Sequence, residues 1–359
     1  MNHNSGTGNR NSSIELLRIF CMCGVIILHF NNVNIGGGLK FALHGNYILL
    51  NLLESFFICA VNVFILISGY FYVDRNNRNL IKPIRLIFQL VVFQLLIYVL
   101  DTCINGSNIT LSNFIYASIP RNWFIILYVV LYVFSPFINA AINKLSLKNF
   151  RLILIISLIV FSFWNIAIDV LQAKGIGTLS QASTIGASGD EFGYTIVNFA
   201  LMYLVGAYIK KREKNCHVKK WICFVVMALI TVLIYYWSTK ASISLIAWYY
   251  CNPLNIVLAV AVFLLFKDLK FQSRVINIFA KGAFTVFISH EFFFQFIPIE
   301  TICSTPWYQM LGFIFIMVIS LYIIGWVLSV LWDLATGWLF KFLSKNVPFL
   351  TKDLYYSLK

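Results

Sequence analysis

The sequence predicts an all-α membrane protein with about ten transmembrane helices. Hydrophobic residues make up 60% of the 359 residues and charged residues only 11%, whereas soluble proteins have about 25% charged residues. Apolar runs of about 20 residues, the length that crosses a bilayer, recur along the chain and alternate with short loops. Because no polar stretch is long enough to fold separately, one membrane domain is expected.

Each of ten apolar segments is long enough to predict a transmembrane helix. They cover residues 14–30, 48–73, 84–100, 123–142, 152–170, 194–209, 221–237, 247–266, 275–297 and 310–331. The first segment has no small-residue cleavage site, so it is interpreted as a retained span and not as a signal peptide. The resulting organisation is a tail at 1–12, a membrane domain at 13–345 and a second tail at 346–359.

The distribution of basic residues predicts that both termini are cytoplasmic. All but four of the 27 lysines and arginines lie on one side of the predicted helices; the exceptions are Lys40, Arg121, Lys174 and Lys240. Cytoplasmic loops of membrane proteins are enriched in such residues. The net charge of +14 is thereby explained by topology in the cell membrane, and nucleic acid is not expected as a partner. The eight cysteines show no metal-binding spacing, so neither a metal site nor a disulfide is predicted.

Ionisable residues inside the predicted spans are the candidate site residues, because such groups are costly in a bilayer and are usually functional or paired. They are Glu15, Arg18, His29, Glu54, His290 and Glu291. Arg18 and His29 are eleven residues apart, which on a helix puts them within ~20° of one face and ~16 Å apart along the axis. Estimated depths place His29 and Glu54 in the outer half of the bilayer, with His290 joining them if its span begins at Val275.

Simpler interpretations exist for the same residues. Glu15 and Arg18 have the i,i+3 spacing of a helical ion pair and could reach the interface together. Buried histidines are often hydrogen-bonded core residues. Glu54 and Glu291 could be structural partners of the histidines.

Several motifs in chain order resemble acyltransferase family 3, membrane enzymes that acylate sugars and envelope polymers. Ile14-Glu15-Leu16-Leu17-Arg18 is similar to the opening of that family's first helix, and His29 completes its Arg-x10-His spacing. The other matching segments are Val63-Phe64-Ile65-Leu66-Ile67-Ser68-Gly69-Tyr70, Arg75-Asn76-Asn77-Arg78, Trp123-Phe124-Ile125-Ile126-Leu127-Tyr128 and Ser289-His290. The chain departs from the pattern at Glu15, where aspartate is commoner, and before His290, where the usual Tyr-Leu is missing.

The resemblance implies an O-acyltransferase that takes an acetyl or other acyl group from a cytoplasmic acyl-CoA. It implies as acceptor a sugar hydroxyl of a surface or capsular polysaccharide, or of its lipid-linked precursor. Arginine forks suit phosphate oxygens, so the cationic patch after the second span would bind the phosphates of acetyl-CoA. Its members are Arg75, Arg78, Lys82 and Arg85, although every predicted inner loop is basic. Arg18 would hold pantetheine or diphosphate oxygens.

His29 is the candidate for the chemical step, either as general base on an acceptor hydroxyl or as transient carrier of the acyl group. A low-dielectric site favours the neutral imidazole that a base requires. Glu54 or Glu291 would orient it. No Ser-His-Asp arrangement is apparent, and Ser68-Gly69 is interpreted as a site of close helix packing.

Two other classes of membrane protein fit part of this sequence pattern. A transporter or flippase for lipid-linked glycans or acyl groups would also need charges inside the bilayer, but it would not depend on acyl-CoA. A polysaccharide polymerase would be expected to have long outer loops with arginines, whereas the predicted outer loops here are short and contain a single arginine, Arg121.

Overall fold

A computed structural model describes residues 10–75, 78–106, 108–185, 193–213, 218–240 and 244–352. Within these ranges the chain is helical and contains no strand, as the sequence predicts. Parts of both predicted tails, the two asparagines of the Arg-x-x-Arg element and Lys214 lie outside the described residues.

The described residues of the first half of the chain form nine α-helices. They are α1 (Ser12–Asn31), α2 (Gly38–Phe41), α3 (His44–Phe57), α4 (Ala60–Tyr72), α5 (Ile81–Asn105), α6 (Leu111–Ser118), α7 (Trp123–Asn143), α8 (Leu147–Leu158) and α9 (Trp164–Ala173). A π-helical turn, Ile159–Phe163, joins α8 to α9. The second predicted span is divided between α3 and α4, and the fifth between α8 and α9.

The second half adds eight helices among the described residues. They are α10 (Ile196–Arg212), α11 (Lys220–Lys240), α12 (Pro253–Lys267), α13 (Arg274–Phe279), α14 (Ala283–Phe293), α15 (Ile299–Ser304), α16 (Trp307–Asn346) and α17 (Pro348–Thr351). With 40 residues, α16 extends about 60 Å, which exceeds the ~30 Å hydrocarbon core. This helix therefore continues well beyond the predicted span 310–331.

Eight helical segments in the described ranges are long and apolar enough to cross a membrane. They correspond to eight of the ten predicted spans, and the chain is a multi-pass membrane protein. The remaining two predicted spans are shorter helices. The sixth is α10, with 17 residues, and the ninth is divided into α13 and α14 by the short 3-10 turn Ala280–Gly282. The count of ten and the cytoplasmic termini stay predictions.

The chain forms two compact units. The first contains the residues up to Phe64 with Val218–Leu233 and Val257–Val330, and the second contains Ile65–His217, Ile234–Ile256 and Leu331–Lys359. In the first unit α1 packs against α3, α13 and α14. Small residues allow this approach: a Cβ on Gly24 would lie 2.3 Å from the ring of Phe57.

In the second unit α4 crosses α10 at two glycines. A Cβ on Gly69 would lie 2.1 Å from the carbonyl oxygen of Tyr203, and one on Gly206 would lie 2.2 Å from that of Leu66. Backbone atoms cannot yield as a flexible side chain can, so the crossing requires glycine at both positions. The close helix packing expected at this segment is confirmed for Gly69.

Candidate active site

His29 lies in the last turn of α1, where the chain folds back over the helix end. The helix is capped at its start by Asn11, whose side chain accepts a hydrogen bond from the backbone of Ser13. After its end, the backbone N–H of Gly36 donates to the carbonyl of His29 at 3.0 Å. Gly37 has φ +79°, a left-handed conformation that glycine adopts easily. This turn holds the end of α1 that carries the candidate base.

Helix α14 brings His290 and Glu291 to the same place. Nδ1 of His29 lies 2.6 Å from Nε2 of His290 and 3.2 Å from Oε1 of Glu291. The two imidazole planes are within 7° of each other, with ring centroids 4.8 Å apart. The centroid separation exceeds the nitrogen separation by about two ring radii, so the rings lie edge to edge in nearly one plane. That is the geometry of a straight N–H···N hydrogen bond.

The hydrogen-bond partners determine which nitrogens carry protons. Nδ1 of His290 lies 2.9 Å from the carbonyl oxygen of Val286, and a carbonyl only accepts, so this nitrogen donates. In a neutral imidazole the other nitrogen then accepts, and Nε2 of His290 therefore accepts from Nδ1–H of His29. Glu291 places a second acceptor at the same Nδ1. By the same rule, Nε2 of neutral His29 has a lone pair and can take a proton.

The three side chains differ in exposure. His290 is fully buried, whereas the side chains of His29 and Glu291 are 24% and 52% exposed. Among the described residues, none forms a hydrogen bond with Nε2 of His29. The buried His290 thus fixes the orientation of the His29 ring, and the partly exposed His29 presents Nε2 as an available nitrogen.

Glu54 has a different partner from Glu291. Its Oε2 accepts a hydrogen bond from the side-chain amide of Asn31 at 2.9 Å, and the same amide donates to the carbonyl of Leu50 at 3.0 Å. Of the two acids expected to orient His29, Glu291 contacts it, while Glu54 ties α3 to the last residue of α1. Sequence reasoning missed Asn31, because an asparagine at a helix end ordinarily indicates only a cap.

Arg18 and Glu15 form the helical ion pair that their spacing allows, with Nη1 2.8 Å from Oε1. Arg10 lies 3.8 Å from the other carboxylate oxygen of Glu15. The Glu15 side chain is nearly buried and that of Arg18 is 36% exposed. Arg18 therefore has a carboxylate partner and still presents part of its guanidinium.

In the second unit, the four basic residues expected to bind phosphates occupy different surroundings. Arg78 is buried, donates to Ser135 Oγ at 2.9 Å and to the carbonyl of Arg75 at 2.8 Å, and lies 4.6 Å from the ring centre of Tyr72. Lys82 donates to the hydroxyls of Tyr72 at 2.5 Å and Tyr128 at 3.2 Å. The side chain of Arg75 is exposed.

Arg85 lies apart from the tyrosines, with an exposed ion pair of 2.6 Å to Asp333.

The tyrosines around Lys82 are the functional candidates that sequence reasoning missed. They line a small pocket formed by Ser68, Tyr72, Tyr128, Leu131, Tyr132, Ser135 and Tyr203. The four-residue spacing of Tyr128 and Tyr132 on one helix face was the available signal.

A family model described as an acyltransferase domain, that of acyltransferase family 3, matches residues 11–330. The chain belongs to acyltransferase family 3. No curated protein and no solved structure matches it. The acyltransferase-3 match covers α1, which carries Arg18 and His29, and α14, which carries His290 and Glu291, so both helices of the candidate site belong to the family domain.

Proposed function

We propose that this family member is an integral membrane O-acyltransferase that transfers an acetyl group from acetyl-CoA to a sugar hydroxyl. The observation that supports the chemical step is the hydrogen-bond chain from His29 through His290 to the carbonyl of Val286. It leaves Nε2 of His29 as a proton acceptor. A histidine so held meets the first requirement of a general base, a lone pair on an accessible nitrogen.

In the proposed reaction, Nε2 of His29 takes the proton of the acceptor hydroxyl while the hydroxyl oxygen attacks the thioester carbonyl. The carbon–sulfur bond then breaks, and the imidazolium returns the proton to the departing thiolate of CoA. Nε2 of His290 accepts the hydrogen bond from Nδ1–H throughout, and the carboxylate of Glu291, 3.2 Å from the same nitrogen, favours the positive charge on His29. In a two-step variant, Nε2 of His29 attacks the thioester carbonyl, the carbon–sulfur bond breaks, and the acetyl group stays on the imidazole. The acceptor hydroxyl then takes the acetyl group from Nε2, and its proton goes to the CoA thiolate.

The donor phosphates are proposed to bind the basic residues near the tyrosines. Lys82 and Arg78 hold cationic groups among tyrosine rings and hydroxyls, and such groups form charge-assisted bonds with phosphate oxygens. The exposed Arg75 and Arg85 supply further positive charge at this end of α5. In the first unit, Arg18 is itself a proposed contact for pantetheine or diphosphate oxygens, and its ion pair with Glu15 holds the guanidinium in place.

The acceptor and the orientation are also part of the proposal. The acceptor is a surface or capsular polysaccharide, or its lipid-linked precursor, and the protein lies in the cell membrane with both termini cytoplasmic. These features rest on the family and on loop charge.

The proposal is tested with membranes that contain the full chain, incubated with acetyl-CoA labelled in the acetyl group. Wild-type membranes should transfer label to the polysaccharide or glycolipid fraction and release CoA thiol. The variant His29→Gln should lose transfer by about 10²- to 10⁴-fold, and His44→Gln, at the first residue of α3, is the matched histidine control. Equal transfer by wild type and His29→Gln would remove His29 from the chemistry. Movement of a lipid-linked glycan without acetyl transfer would favour the flippase.

A further inference from the structure

We infer that His29, His290 and Glu291 form a binding site for a divalent transition metal ion, with Zn²⁺ the preferred ion, and that this ion inhibits the enzyme. The site itself depends only on the geometry of the three residues. The inhibition rests on the proposed role of His29 as proton acceptor.

The ligand set is the first argument. The three residues present one ligand atom each, Nδ1 of His29, Nε2 of His290 and a carboxylate oxygen of Glu291, and these atoms lie within 4.8 Å of one another. Two imidazoles and one carboxylate form a known ligand set for Zn²⁺, and three protein ligands leave a fourth position open. The sequence does not reveal this set, because His29 and His290 are 261 positions apart.

The distances are the second argument. Bonds of 2.0–2.2 Å in a tetrahedral zinc site place the ligand atoms roughly 3.3 Å from one another. Nδ1 of His29 is 3.2 Å from Oε1 of Glu291, which meets this requirement. The two histidine nitrogens, at 2.6 Å, would have to separate by less than ~1 Å. Because the straight N–H···N contact points the two lone pairs at each other, a tetrahedral ion also requires each imidazole to turn by about 35°. The half-exposed carboxylate of Glu291, whose ligand atom lies within 4.8 Å of the other two, would turn with them to complete the site.

The orientation of His290 is the third argument. Histidines that bind metals usually donate their other ring N–H to a carboxylate or a backbone carbonyl, which fixes the tautomer. His290 already donates Nδ1–H to the carbonyl of Val286, so its Nε2 has the lone pair that a metal needs. In the metal-free protein a proton occupies the space between the two nitrogens, and the metal ion would replace it.

This replacement changes the tautomer of His29. When Nδ1 binds the metal, it gives up its proton, and the neutral ring carries its single proton on Nε2. Nε2 then has no lone pair and cannot accept the proton of a hydroxyl. The bound ion therefore inhibits transfer even though it lies on the opposite edge of the ring from the reacting nitrogen.

The test uses the purified full-length chain in detergent, freed of metal with a chelator and then titrated with Co²⁺, which substitutes for Zn²⁺ and absorbs visible light. We expect one Co²⁺ per chain, with the spectrum of a nitrogen and oxygen site and without the strong near-ultraviolet band of thiolate ligands. His29→Gln and His290→Asn should each lose this absorption, and Glu291→Gln should weaken binding by at least about tenfold.

Glu54→Gln is the matched control, because it removes a carboxylate from α3 that bonds Asn31 instead of His29; it should retain the wild-type spectrum. Thermal melting of each variant shows whether it is folded. Because the Glu291 side chain is half-exposed, Glu291→Gln is the cluster variant expected to disturb folding least. Absorption that is unchanged in all three cluster variants would overturn the site. A wild-type protein that shows no Co²⁺ absorption would overturn the site as well.

Inhibition is measured separately with acetyl-CoA and the acceptor fraction. One equivalent of Zn²⁺ should abolish transfer by the wild type, and a chelator should restore it. Zn²⁺ that binds without slowing transfer would overturn the inhibitory role while leaving the site intact. Absence of transfer by metal-free wild type that binds Co²⁺ normally would contradict the proposed function and not the metal site.

Discussion

Nη1 of Arg18 lies 2.8 Å from Oε1 of Glu15, one turn earlier on α1. The only other described cation at this carboxylate is Arg10, at 3.8 Å. Removing Arg18 would therefore leave a nearly buried carboxylate with one distant, partly exposed partner. Loss of one partner from such a pair destabilises a protein more than loss of both, so the effects of Arg18 on donor binding and on folding need to be separated.

The double variant Arg18→Ala/Glu15→Gln makes this separation. We expect Arg18→Ala to lower the free energy of unfolding by about 1–3 kcal/mol, and the double variant to recover part of that loss. If Arg18 also binds the donor, the KM for acetyl-CoA will stay raised in both. Thermal melting and donor titrations measure the two quantities. A KM that returns to the wild-type value in the double variant would show that Arg18 has only a structural role.

His290 is expected to act as a positioning residue through His29. His290→Ala removes the acceptor for Nδ1–H, which frees the ring to rotate or change tautomer, so kcat should fall about 10- to 100-fold. His290→Gln offers an amide oxygen near the position of Nε2 and should retain more activity. The KM for acetyl-CoA should change little in either variant. A purely structural residue would give equal losses in both variants that follow their melting temperatures.

Much of this site could be predicted from sequence because α1 is one uninterrupted helix. Its bounds, Ser12–Asn31, agree with the predicted span 14–30, and helical periodicity then fixes the spacing of Arg18 and His29. The choice between Glu54 and Glu291 could not be made, because distance along a span gives depth in the bilayer but not the direction in which a side chain points. That direction is determined by how α3 and α14 pack on α1.

The tyrosine surroundings of Lys82 could not be predicted from the sequence, for a related reason. Tyr72, Tyr128 and Lys82 lie on three different helices, α4, α7 and α5, and only tertiary packing brings them together.

The turn Ala280–Gly282, which divides the ninth predicted span, contains no proline that would have indicated a break in the helix. Its glycine packs closely against Trp326, where a Cβ would lie 2.9 Å from the indole.

Arg78 and Arg85 are expected to respond differently to alanine. Arg78 is buried, bonds Ser135 and the carbonyl of Arg75, and contacts tyrosine rings, so Arg78→Ala should cost about 2 kcal/mol or more of stability. The exposed pair of Arg85 with Asp333 should cost no more than about 1 kcal/mol. Melting temperatures measure both changes. Donor titrations on Arg85→Ala then report on phosphate binding without a folding defect, and an unchanged KM would exclude Arg85 from the donor site.

The crossing of α4 and α10 should not tolerate a larger residue at Gly69. The new methyl group of Gly69→Ala would meet the backbone of Tyr203, and forced overpacking typically costs 1–3 kcal/mol. Gly312→Ala in α16 is the control, because nothing lies within 4 Å of its Cβ position. The first variant should melt at a lower temperature and the second should not. Equal melting temperatures would mean that the two helices can separate without cost.

The shortest predicted span provides a test of the membrane topology. With 17 residues, α10 is about 26 Å long, slightly less than the ~30 Å hydrocarbon core. If it nevertheless crosses the membrane, residues 178 and 219 lie on opposite sides. Single cysteines placed there in a cysteine-free background should therefore differ in intact cells, with position 178 labelled by an impermeant maleimide and position 219 labelled only after permeabilisation. Labelling of both positions from the same side would mean that α10 does not cross, and the predicted orientation of the helices on one side of it would then have to be reversed.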